Sequence, residues 1–120
     1  MSSSRKLKRV NLVSELQVRD AGTDEPIGVT FDISTEGVGV RGPSPLKVGD
    51  ISELVLSLPA EIKGLTSVEI TGRCTWCKRD DNPDLYRIGF EFVDGSDENV
   101  VVIDELIRRF KRVEVPSPKA

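Results

Sequence analysis

Apolar residues fall at alternate positions in a series of short runs separated by turn-forming residues, the signature of strands with one face buried. The first run sets Leu12, Leu16 and Val18 against Glu15, Gln17 and Arg19, and Asp20-Ala21-Gly22 then turns the chain. In the second run Ile27, Val29, Phe31 and Ile33 are expected inward, which sends Thr30, Asp32 and Ser34 to the opposite face. Gly37 and Gly39 flank Val38 ahead of Val40, so a tight turn returns the chain antiparallel to the preceding strand. Gly42-Pro43-Ser44-Pro45 breaks the pattern, and Val48-Gly49-Asp50 leads into Leu54, Leu56 and Leu58, a run that Pro59 should end. Beyond Gly64 comes the longest alternation, Val68, Ile70, Gly72, Cys74 and Trp76 against Glu69, Thr71, Arg73, Thr75 and Cys77. A polar hairpin loop at residues 80–84 precedes a return strand with Tyr86, Ile88, Phe90 and Phe92 inward. Six or seven strands at this spacing predict a mainly all-β protein, a closed or nearly closed antiparallel barrel.

Near the end the period changes from two to that of a helix. Ser96 is a cap for a helix over residues 96–112, with Asp97 and Glu98 in its first turn and Arg108, Arg109, Lys111 and Arg112 in its last. Val100, Ile103, Leu106, Ile107 and Phe110 form the expected apolar stripe. The predicted organisation is one domain over residues 5–112, with an arm at 5–9, the barrel at 10–93, and flexible tails at 1–4 and 113–120. A chain of 120 residues with 38% hydrophobic and 31% charged side chains supports one such core. Its longest apolar run, Val100 to Ile103, is far short of the ~20 residues that span a bilayer. Asn11, Ser14 and Glu15 interrupt the stretch that would make the basic start a signal peptide, so a cytoplasmic location is expected.

Composition narrows the chemistry. The chain has no histidine, which removes His-activated nucleophiles and His-ligated zinc, and no enzyme activity is expected. Cys74 and Cys77 have the spacing of a metal or redox pair, but on a strand such residues should face opposite ways, Cys74 inward and Cys77 outward. Zinc would also need further ligands, so no metal or cofactor is expected. The net charge of -3 is unevenly spread: residues 10–107 carry 8 basic against 19 acidic side chains, while Arg5, Lys6, Lys8 and Arg9 stand with no acid beside them. An acidic body repels long nucleic acids, and a basic arm suits a small anion.

Two segments stand out, Arg5-Lys-Leu-Lys-Arg9 and Asp32-Ile-Ser34-Thr-Glu-Gly37. Arg9 immediately precedes the first strand, so an arm folded over the sheet brings guanidinium, carboxylate and hydroxyl together. Guanidinium forks match phosphate oxygens and the O6/N7 edge of guanine, a carboxylate complements guanine's N–H donors, and Gly37 lets backbone approach closely. These residues carry a resemblance: the chain resembles a PilZ domain, the bacterial receptor module for cyclic di-GMP, whose signature is RxxxR followed some twenty to thirty residues later by [D/N]xSxxG. The strand Tyr86 to Phe92 and the final helix are similar to the family's end.

The resemblance implies a PilZ-type barrel in which Arg5 and Arg9 grip phosphate and guanine, Asp32 and Ser34 contact base and phosphate-ribose, and Gly37 shapes the turn. Val38 stands where family members often carry a small residue, which bears on the floor of the pocket. It further implies a single-domain receptor that passes ligand occupancy to an effector protein, with flagellar motor, polysaccharide-export and pilus machinery as candidate clients. Two rivals are a ligand-independent PilZ-like adaptor and a small barrel binding single-stranded nucleic acid. The latter wants exposed aromatics on a basic face, whereas Phe, Tyr and Trp here are expected inward.

Overall fold

The computed structural model describes residues 9–93 and 97–112. Alternation of apolar and polar residues yields strands β1 (Gln17–Asp20), β2 (Pro26–Ser34), β3 (Gly37–Gly42), β4 (Ile51–Ile62), β5 (Leu65–Arg79) and β6 (Tyr86–Phe92), followed by helix α1 (Asp97–Phe110). The six strands close into an antiparallel barrel in the order β1-β2-β3-β6-β5-β4. The hairpin at Ser34↔Gly37 needs only the Thr35-Glu36 turn, as the flanking glycines predict. Closure leaves one face of each strand inside, where Ile33, Val38, Val40, Leu54, Leu56, Ile88 and Phe90 are fully buried. Each such side chain stabilises the fold by roughly 1.5–3 kcal/mol.

Several expectations are corrected. Pro59 does not end its strand: β4 continues to Ile62, and an irregularity between Ser57 and Ile62 absorbs the proline's missing donor. β1 begins only at Gln17, because residues 9–16 lie on β2 and α1 through isolated bridges instead of joining a ladder. The helix occupies Asp97–Phe110, and its predicted cap Ser96 lies outside the described residues. Its buried face is Val102, Ile103 and Leu106, with Val100 left 36% exposed. α1 packs against β2, β4 and β5, which joins these residues to the barrel's apolar cluster.

Two β-bulges carry the largest correction. Between Thr30 and Asp32 the pairing with β3 slips by one residue, and between Cys74 and Trp76 the pairing with β6 does the same. An extra residue reverses which side chains face the core from that point on. On β2 the phase ahead of the bulge is therefore opposite to that after it: Thr30, paired with the buried Val40, is inward, and Phe31 joins Asp32 over Gly39, where an added Cβ would meet the Phe31 ring at 2.5 Å. On β5, Trp76 moves to the outside over Gly89, and Cys77, paired with the buried Ile88, turns toward the core beside Cys74. The aromatic residues are thus divided: Phe90 is interior, while Phe31 and Trp76 are not.

Candidate functional site

Ahead of β1, the chain is held to β2 from Val10 onward. Val10 and Ile33 exchange both backbone hydrogen bonds at 2.9 Å, so the residue before Val10 is set beside the end of β2. That residue is Arg9, whose Nη1 donates to Asp32 Oδ1 at 2.9 Å. The pair is partly open to solvent, with the two side chains 37% and 28% exposed, and is worth at most about 1 kcal/mol to stability. Gly37 lies against the same guanidinium: a Cβ there would approach Arg9 Nη2 to 2.9 Å and collide with the Phe90 carbonyl. The structure therefore brings Arg9, Asp32 and Gly37 together. Arg5 lies outside the described residues.

Ser34 is placed differently from a ligand-facing hydroxyl. It is buried, and its Oγ accepts the Glu36 amide hydrogen at 3.0 Å, which fixes the turn that carries Gly37. Thr30, expected beside Asp32, instead accepts from the Leu16 amide at 3.0 Å inside the barrel wall.

A groove on the barrel's outside extends the site beyond the two motifs. One row of partners crosses four strands, Asp32↔Gly39, Gly39↔Gly89 and Gly89↔Trp76, so two glycines form a backbone floor between a carboxylate and an indole. Phe31 and Trp76 overhang this floor with ring centroids 6.4 Å apart and planes tilted by 54°. Val38, expected at the floor, points inward and is fully buried. Cations line the next row: Arg87 lies 4.8 Å from the Phe31 ring and the Lys78 ammonium 5.8 Å from that of Trp76. Arg87 Nε donates to Asp80 Oδ1 at 2.9 Å, and Arg41 Nε sits 3.6 Å from the same oxygen. The Asn82 amide, followed by the two guanidiniums, holds the Asp80 carboxyl below the usual carboxylate range.

Sequence reading missed Phe31, Trp76, Arg87 and the Gly39–Gly89 floor. The available signal was glycine inside a strand, which marks close approach of other groups to the backbone. The groove offers stacking surfaces, guanidinium donors and a carboxylate acceptor, the means to hold a flat, hydrogen-bonding, anionic ligand. No group of three or more metal-binding side chains occurs among the described residues. The cysteines are unbridged, and burial, with Cys77 nearby, pushes the Cys74 thiol up and away from reactivity.

Comparisons with known proteins agree with this architecture. No curated protein sequence matches the chain. Among solved structures it is similar to the Bacillus subtilis inhibitor of motility MotI/DgrA, at TM-score 0.68 and 18% identity over 91% of this chain and 51% of that one. It is also similar to K. pneumonia MrkH in complex with c-di-GMP, at 0.69 and 17% over 90% and 52%. The PilZ domain of Escherichia coli YcgR with c-di-GMP matches at 0.60 and 11%, over 88% of this chain and 95% of that domain. The chain thus spans about half the length of MotI/DgrA and MrkH and nearly the whole isolated PilZ domain of YcgR. The sequence profile of the PilZ domain matches residues 3–112, a range that includes the whole barrel and helix, and the chain belongs to the PilZ domain family of cyclic di-GMP receptor modules.

Proposed function

We propose that this chain binds cyclic di-GMP in the groove that begins at Arg9 and Asp32, and that it acts as a non-catalytic receptor. The observation that carries the reading is the Arg9–Asp32 pair, in which the last arginine of the first motif meets the first residue of the second at 2.9 Å. Arg9 and Arg5 grip phosphate and guanine, Asp32 accepts from guanine N–H groups, and Gly39 and Gly89 let Phe31 and Trp76 lie close on the barrel wall as stacking surfaces. Ser34 contributes chiefly by holding the turn, since its hydroxyl is already engaged. The similar structures of the YcgR PilZ domain and of MrkH each hold c-di-GMP, which supports the ligand assignment.

Occupancy passes to an effector protein rather than to a reaction. MotI/DgrA is described as an inhibitor of motility, and a motility, polysaccharide or pilus client is in keeping with that relative. Isothermal titration with cyclic di-GMP and with GMP tests the reading. Saturable binding of the cyclic dinucleotide with much weaker GMP binding supports it, while equal affinities or no binding favour the ligand-independent adaptor.

A further inference from the structure

Arg87 belongs to neither motif, yet the register of the barrel sets it across the stacking rings from Arg9. Alternation along β6 sends Arg87, Gly89 and Glu91 to the outside. Gly37, beside the Arg9 guanidinium, pairs with Glu91, whereas Arg87 pairs with Arg41 and Lys78 at the other end of the strand. The rings of Phe31 and Trp76 lie over Gly39 and Gly89, between these two ends. Arg9 and Arg87 therefore flank the rings from opposite sides.

Two contacts hold Arg87. Its guanidinium carbon lies 4.8 Å from the Phe31 ring centroid, and its Nε donates to Asp80 Oδ1 at 2.9 Å. Asp80 is itself fixed: its side chain is 9% exposed, Oδ2 accepts from the Asn82 amide at 3.1 Å, and its own amide donates to the Leu85 carbonyl at 2.9 Å. Arg41 Nε stands 3.6 Å from Oδ1, a second cation that favours the charged carboxylate. One face and the Nε edge of Arg87 are thus occupied. Its two terminal nitrogens are not buried and have no hydrogen-bond partner among the described residues, in a side chain that is 44% exposed. A guanidinium held in this way presents its free N–H fork with its rotamers already restricted, so less freedom is lost when a ligand pairs with it.

We propose, on the reading of this groove as the cyclic di-GMP site, that Arg87 is a specificity-determining residue that pairs with the O6/N7 edge of one guanine, and that Asp80 is the positioning residue that holds it there. Two acceptors side by side match a guanidinium fork, and adenine carries a donor where guanine carries O6. The surroundings select a base edge over a phosphate. The Phe31 and Trp76 centroids are 6.4 Å apart, so a base stacked on the indole lies beside the guanidinium that sits on the neighbouring phenyl ring, with its edge toward the fork. A ligand with two guanines engages Arg9 and Arg87 at once, whereas GMP engages only one of them.

The test is calorimetric titration of the full chain with cyclic di-GMP and with its 7-deazaguanine analogue, which keeps the phosphates, the ring faces and O6 but lacks N7. The parent should bind the analogue about tenfold more weakly, as for loss of a charge-assisted hydrogen bond. Arg87→Ala should weaken cyclic di-GMP binding about tenfold or more and narrow the gap between the two ligands about fivefold or more. Arg87→Lys should not restore either, because an ammonium has no fork. Asp80→Asn should narrow the same gap, whereas a merely structural role would weaken both ligands alike and overturn its positioning role. A gap that Arg87→Ala leaves unchanged, equal binding of both ligands by the parent, or full rescue by Arg87→Lys overturns the assignment of Arg87 and leaves the groove as the ligand site. A parent chain that does not bind cyclic di-GMP overturns both the assignment and the reading on which it rests.

Discussion

Arg9 contacts both a carboxylate and a glycine backbone, so its geometry matters as much as its charge. Arg9→Lys retains the charge but loses the planar fork, and it should weaken cyclic di-GMP binding by about 1–3 kcal/mol, roughly five- to 150-fold, in calorimetric titration. Lys6→Ala and Lys8→Ala should have small effects that fade with salt. Trp76 lies outside the core, so Trp76→Ala should remove a stacking surface worth about 1–3 kcal/mol per base and leave the melting temperature nearly unchanged. A large loss of stability with intact binding would assign Trp76 to structure alone. Asp80 gives a pH signature. Its carboxyl is held below the ordinary value, so the stability it contributes is fully present above the unfolded-state carboxylate pKa and is lost as pH falls through the lower folded value. Asp80→Asn should therefore flatten the acid limb of the stability profile, measured by urea denaturation across pH.

At the scale of elements, the barrel was legible because period-two alternation survives in most strands, and the Ser34–Gly37 hairpin because Gly37 marks the return of the chain. The faces of Phe31, Trp76 and Cys77 were not legible, since each follows or occupies a bulge that exists only through pairing with a neighbouring strand. The meeting of Arg9 with Asp32 was anticipated from motif order, whereas Arg87 and the Gly39–Gly89 floor depend on the register of β3 against β6, to which single-strand patterns are blind. The helix shows the same limit. Its period was clear, but the edge of the side that meets the barrel was misplaced, taking in Val100 and omitting Val102. Leu106→Ala should accordingly cost about 2–5 kcal/mol by denaturant unfolding, and Val101→Ala, at an exposed position, within about 0.5 kcal/mol of nothing. Both cysteines turn to the inside and remain unbridged, so neither a chelator nor a reductant should shift the melting curve.

Across the whole molecule, the segment after Arg9 links the candidate ligand site to the helix. Val10 pairs with Ile33 next to Asp32, and three residues later the Val13 amide donates to the Phe110 carbonyl at 2.8 Å, with Arg112 bonded back to Asn11. A ligand that fixes Arg9 therefore restrains the end of α1 through backbone hydrogen bonds. Under the proposed function this is the route by which occupancy reaches the surface at the end of α1. Amide exchange should slow at Val10 and Val13 and in the last turn of α1 when cyclic di-GMP is added, and unchanged exchange at the helix would confine the response to the groove. The most direct test of the central claim is calorimetric titration of cyclic di-GMP into the parent chain and Arg9→Lys at low and high salt. Tight, saturable binding by the parent, weakened in Arg9→Lys at both salts, is the predicted result. Equal binding by the two proteins, or binding abolished by salt alone, would contradict a built site and leave only a diffuse basic patch.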